Sequence, residues 1–195
     1  MSGEILPDVS ATELVGNCLC LDFANTVAKR PEGHGDRLTT AEGLLAWARA
    51  AGAHPAQAPL SVDDAGLGEA IDLRESVYRT FSAIAARRQP GPDDLHVIMN
   101  TYAAALRSVH LHREGDRHVM HWPGERSARA VLWPVAASAA RLLLEGPLDR
   151  VGECPSCGWL FLDTSRNGSR RWCSMAMCGN QVKSRRYYAA RTAHR

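Results

Sequence analysis

The chain has 195 residues, of which 45% are hydrophobic and 23% charged, a globular composition that argues against a wholly disordered, collagen-like or repeat protein. Its net charge of +2 is uneven: residues 150–195 hold nine Lys/Arg against Glu153 and Asp163, a net of +7 that leaves −5 for the remainder. An acidic body with a basic tail calls for a polyanion partner at the tail, nucleic acid being the commonest.

The first eight residues carry neither a basic start nor an apolar stretch, so no secretory signal is read and a cytoplasmic location is expected. Residues 14–28 form an apolar block that fits either a buried strand or a helix turn. A loop follows over residues 31–36. Thr39 and Glu42 stand at capping-box spacing before Leu44, Leu45, Trp47 and Ala48, which predicts a short helix ending near Gly52. After a Pro/Ala linker at 54–60, residues 61–64 start a long helix reaching about Arg88, with a stripe of Leu67, Ile71, Tyr78, Phe81 and Ala85. A further helix, about 93–107, is expected to bury Leu95, Ile98, Met99, Tyr102 and Leu106. Residues 109–122 alternate around Glu114-Gly-Asp-Arg117 as a β-hairpin would. Residues 127–145 read as a third long helix kinked at Pro134. Its weakly polar run, 131–140, is about half the ~20 residues that a membrane span needs.

The cysteines carry the strongest signal. Cys154 and Cys157 are separated by two residues, and Cys173 and Cys178 by four. Without an export signal, four thiols this close point to metal rather than to disulfides. A two-residue spacer lets a tight knuckle aim two sulfurs at one centre, and the wider spacer suits a turn at a helix start. Between the pairs, residues 158–163 read as a strand, 165–169 as a turn and 170–172 as the returning strand. The expected fold is mainly α (α+β): a multihelical N-terminal domain, residues 1–149, with one or two β-hairpins, then a treble-clef-like four-Cys zinc finger, residues 150–195. One Zn2+ is expected, structural because four sulfurs fill its coordination. Chelation is expected to melt the finger and leave the helical body folded.

Past Cys178 a basic helix is predicted. Arg170, Arg171, Lys183, Arg185 and Arg186 are candidate phosphate contacts, and Asn180 and Gln181 could reach base edges. Five such cations predict a slope of about −4 to −5 for log affinity against log salt. Trp159, Phe161 and Trp172 are read as the finger's small core rather than a base platform.

Residues 154–183, from Cys-Pro-Ser-Cys-Gly-Trp to Cys-Gly-Asn-Gln-Val-Lys, resemble the bacterial CGNR zinc finger. Leu19-Cys-Leu-Asp-Phe-Ala-Asn-Thr26, with residues 36–47, is similar to the ABATE domain that precedes the finger in that family. The resemblance implies a stress-induced transcriptional regulator with a DNA-binding finger. By position it makes Cys154, Cys157, Cys173 and Cys178 the zinc ligands. The family's tetrad reads Cys178-Gly179-Asn180-Gln181 here, and Gln in place of Arg removes a cation at the helix start.

Weaker constellations are read conservatively. His110, His112, His118 and His121 are taken as solvated hairpin histidines, since strand alternation lets at most three converge. Cys18 and Cys20 are taken as buried reduced thiols, with a redox or metal role as the alternative. Asp22, Asn25 and Thr26 are assigned to capping and loop-fixing hydrogen bonds rather than to a ligand pocket. No catalytic motif appears, so no enzyme is expected. The reading is a cytoplasmic, DNA-binding regulator whose N-terminal domain senses a small-molecule ligand or mediates assembly, with no membrane partner. A homodimer is also expected, because one finger reads few base pairs. The alternative is an RNA- or protein-interaction module using the basic helix.

Overall fold

The apolar block near the N-terminus is a short helix, α1 (Leu19–Ala24), in a computed structural model that describes residues 14–30, 35–53, 60–122 and 125–184. Cys20, Leu21, Phe23 and Ala24 of α1 are all buried. That is why hydrophobic periodicity left its type open: an element enclosed on most sides has no polar face to set a period.

Helix α2 (Ala41–Ala50) is capped by Thr40, one residue past the expected Thr39; its hydroxyl accepts from the Gly43 N–H at 3.2 Å. Gly43 is required there, because a Cβ would meet the Arg37 carbonyl oxygen at 2.3 Å. Helix α3 (Asp64–Ala85) starts from Asp63, whose carboxylate accepts from the Gly66 N–H at 2.8 Å. Its buried stripe runs through Ala70, Leu73, Val77 and Phe81. Of the five stripe residues expected, only Phe81 is fully buried; Leu67, Ile71, Tyr78 and Ala85 flank the contact. Helix α4 (Pro92–Arg107) buries Ile98 and Ala105, seven residues apart, along a narrow strip. Met99 and Leu106, expected inside, are 38% and 47% exposed. A hairpin follows, β1 (His110–Glu114) on β2 (Arg117–His121), with Gly115 at φ +62 in its turn. Helix α5 (Arg129–Glu145) contains Pro134 and buries ten residues, which makes it the central element.

After a single 3-10 turn (Leu148–Arg150), β3 (Val151–Glu153) pairs antiparallel with β4 (Leu160–Leu162), Val151 opposite Leu162. The expected partner of the second strand was residues 170–172. Those residues form no strand; Arg170 is instead drawn inward by hydrogen bonds. The architecture is mainly α with two small hairpins and a C-terminal cysteine cluster.

Val151 and Leu160 belong to the same core as α1, α3 and α5. A second, smaller cluster gathers Trp159, Phe161 and three of the four C-terminal cysteines, with Trp172 packed against it. No described helix is long and apolar enough to cross a membrane.

Candidate metal centre and basic segment

Two local conformations bring the cysteines together. In the first, Cys154-Pro-Ser-Cys157 turns back on itself between β3 and β4. The Gly158 N–H donates to the Cys154 carbonyl at 2.8 Å, and the Cys154 N–H donates to the Trp159 carbonyl at 2.8 Å. Gly158 holds φ +74, a conformation that strongly favours glycine. In the second, Ser174 accepts from the Met177 N–H and starts a wide π-type turn (Met175–Gly179) that carries Cys178 and runs into helix over residues 180–184. A Cβ at Gly179 would meet the Met175 sulfur at 2.6 Å, so glycine there leaves room for the turn's own methionine.

The four sulfurs lie within 4.8 Å of one another, with Cys157 to Cys173 and Cys173 to Cys178 both at 3.5 Å. Four thiolates around a tetrahedral zinc, at ~2.3 Å each, would stand about 3.8 Å apart. All four cysteines are free thiols. Such thiols cannot all ionise together unaided. Hydrogen bonds from Cys157 and Cys173 hold Cys154 far below the ordinary thiol range, and the same contacts push Cys157 up to about 12 and Cys173 higher still. A divalent cation removes that conflict, since it favours the deprotonated form of every ligand. The donor set is therefore fitted to zinc. When bound, zinc would supply a cross-link between the two turns and no open coordination position.

Arg170, expected at a phosphate, is turned inward. Its guanidinium donates to the carbonyls of Val15 (2.6 Å), Trp172 (3.1 Å), Cys173 and Leu162, and it lies over the Phe161 ring at 4.4 Å. The Asp163 carboxylate accepts from the N–H groups of Ser165 and Arg170, both at 2.8 Å. A guanidinium whose donors are spent on carbonyls clamps the finger and has little left for phosphate. Arg171, Asn180, Gln181 and Lys183 are exposed. Arg185 and Arg186, with Tyr187, Tyr188 and Arg191, lie outside the described residues.

The finger is tied to the body at many points. Asn25 reads the Leu160 backbone as a strand would, donating to its carbonyl at 2.9 Å and accepting from its N–H at 2.8 Å. The Trp159 indole donates to the Val27 carbonyl at 2.7 Å, and the Arg30 N–H to the Cys157 carbonyl at 3.1 Å. Asn17, at φ +56, donates to the Leu162 carbonyl at 3.0 Å. Tyr78 and Ser82 of α3 both donate to Glu153. These Asn and Trp contacts carried no sequence signal, because each joins residues more than 130 positions apart.

Residues 17–146 match the profile of the ABATE family, described as "Putative stress-induced transcription regulator", and residues 150–191 match the CGNR zinc finger. The chain belongs to the ABATE family. No curated protein matches it. In this ABATE chain, the Leu-Asp-Phe-Ala-Asn-Thr segment builds α1 and its docking to the finger. Asp22 accepts from the Gly16 N–H at 2.7 Å and Thr26 donates to the Phe23 carbonyl at 2.8 Å. The hairpin histidines are all exposed, and register places His110, His112 and His121 on one face and His118 on the other. Among the described residues, the four cysteines are the group that converges as metal ligands would.

Proposed function

We propose that the ABATE chain is a zinc-stabilised DNA-binding regulator acting in the cytoplasm. It has two units, a sensing or assembly unit over residues 1–149 and a DNA-gripping finger over 150–195. One structural zinc would be held by Cys154, Cys157, Cys173 and Cys178. The observation that carries the reading is a cation-rich segment beginning at a turn that the cysteine cluster itself positions, with Arg171, Asn180, Gln181 and Lys183 exposed around it. The mechanism is electrostatic: Arg171, Lys183, Arg185 and Arg186 would neutralise phosphates, and Asn180 and Gln181 would reach base edges from the helix start. No catalytic step is assigned to any residue. A homodimer would supply the second half-site that one finger lacks.

Withdrawing Arg170 from the phosphate set lowers the expected salt slope to about −3 to −4. Selection from a random duplex pool with zinc-loaded protein tests the reading, against a control carrying Lys183→Gln, Arg185→Gln and Arg186→Gln. Enrichment of a shared sequence by the native chain alone supports it, and a salt-independent affinity overturns it. Competition by structured RNA or by an acidic protein surface that outmatches duplex DNA would favour the alternative, an interaction module for those partners.

A further inference from the structure

A groove of about 690 Å³ runs between the β1–β2 hairpin and α5 and reaches back to Cys18. Val119, Met120 and Trp122 line one wall, and Pro134 and Leu142 the other. Cys18 is half-buried at this groove, while Cys20 is wholly buried behind it, with the two sulfurs 3.6 Å apart. Ser138 of α5 bridges the pair: its hydroxyl lies 3.3 Å from the Cys18 sulfur and accepts from the Cys20 N–H at 3.2 Å. We propose that Cys18 and Cys20 form a peroxide-reactive dithiol, with Cys18 as the attacking sulfur exposed to the groove and Cys20 as the resolving sulfur beneath it. The inference stands whether or not DNA is the chain's partner, because its readouts are chemical.

The environment splits the roles. Hydrogen bonding with the Cys20 thiol brings Cys18 down to about 6, against the opposing effect of burial, and the Ser138 hydroxyl adds to it. Burial pushes Cys20 well up, so it stays a protonated donor. Asp22 on α1 is the charged group that acts on the pair, and Arg117 and His118 on β2 and Arg141 and Glu145 on α5 line the groove beside it.

The chemistry balances with a hydroperoxide, ROOH, as oxidant. The Cys18 thiolate attacks the terminal oxygen; the O–O bond breaks, a Cys18 sulfenic acid forms, and the alkoxide leaves as ROH after taking a proton. Cys20 then attacks the Cys18 sulfur: the S–S bond forms, the S–O bond breaks, and water leaves with the Cys20 proton. Two thiols are oxidised and one hydroperoxide is reduced to ROH and water. Closing the bond needs the sulfurs to approach by about 1.5 Å. A dithiol reductant returns the pair to thiols.

The test uses the full, reduced, zinc-loaded chain and one equivalent of tert-butyl hydroperoxide. Trypsin separates the sites cleanly, because residues 1–29 contain Cys18 and Cys20, no other cysteine, and no Lys or Arg before Lys29. In the native chain this peptide is expected two hydrogens lighter after oxidation, reversibly with dithiothreitol, while the four finger cysteines remain alkylatable once the metal is removed. In Cys20→Ser, whose hydroxyl keeps a donor beside the Cys18 sulfur, dimedone is expected to trap a sulfenic acid at Cys18, and in Cys20→Ala, which removes that donor, trapping is expected to be slower. Cys18→Ser is expected to leave Cys20 unoxidised. Circular dichroism identifies which variants are folded. At pH 7 the thiolate fraction of Cys18 exceeds that of an ordinary thiol by about thirtyfold, while its intrinsic nucleophilicity is lower by about an order of magnitude, so iodoacetamide should react only a few-fold faster. The diagnostic is a rate that levels off above about pH 7 instead of climbing to pH 9. Oxidation that enters the finger first and leaves residues 18 and 20 as thiols, or a folded Cys20→Ser variant that yields no Cys18 adduct, would overturn the proposal.

Discussion

Asp22 and Asn25 are three residues apart on one turn and are used in different ways. Asn25 is neutral and satisfies both backbone groups of Leu160 with its amide, so it is buried without an ionic desolvation cost. Asp22 is an acid, and burial pushes it up to about 6 although the Gly16 N–H and the Arg170 charge oppose the shift. Between pH 4 and 6 the folded chain therefore holds a proton that the unfolded chain lacks, and stability falls as pH rises through that window. Asp22→Asn keeps an acceptor for Gly16 and removes the charge. The variant should be more stable than the native chain above pH 6, with the difference vanishing below pH 4; denaturant unfolding at pH 3.5, 5 and 7.5 measures it. Asp36 behaves in the opposite sense. Burial resists its ionisation, but two hydrogen bonds from Arg74, at 2.6 and 2.8 Å, hold it below the usual carboxylate range. Its contribution is present at neutral pH and is lost as pH falls through that lowered value.

Among elements, the β3–β4 hairpin has two allegiances. Val151 and Leu160 face the helical core, while Cys154, Trp159 and Phe161 belong to the cysteine cluster. Removing the metal should then divide the finger rather than melt all of it. Chelation is expected to abolish hydrogen-exchange protection over residues 170–184, where the second cysteine pair depends on the cross-link. Protection should persist at the Leu160 and Leu162 amides, which donate to Asn25 and Gly16. Loss of protection at Leu160 equal to that at Cys178 would refute this division. The capped starts of α2 and α3 and the turn of the β1–β2 hairpin were legible in advance, because Thr/Asp caps and a positive-φ glycine are local chemistry. The buried stripe of α3 was not. Its centre holds Ala70 and Thr80, which a hydrophobic pattern does not flag, while the larger Ile71 and Tyr78 lie on its flanks.

Across the whole molecule, ion pairs and carbonyl clamps join segments distant in sequence. Arg74 pairs with Asp36, and Arg30 pairs with Glu75 at 2.6 Å while covering the Tyr78 ring at 3.7 Å. Arg170 does the same service for the finger, and this separates it from the cations around it. Arg170→Gln should cost roughly 2–3 kcal/mol of stability through lost charge-assisted hydrogen bonds. It should change the DNA salt slope by much less than the unit expected for a phosphate contact. Lys183→Gln should do the reverse, lowering the slope by about one with little effect on unfolding. Parallel unfolding and salt-titration series on the two variants distinguish these outcomes.

The convergence of the four cysteines could be read from the chain alone because cysteine spacing is a local rule: two turns of set length aim four sulfurs at a common centre. The helical body could be read for a similar reason, from caps and breakers acting over a few residues. Which cations face solvent, which thiol opens to a groove, and how firmly the finger is joined to the body depend on contacts between residues a hundred or more positions apart. Only the packed chain brings those residues together, and burial then decides whether an arginine is a clamp or a grip.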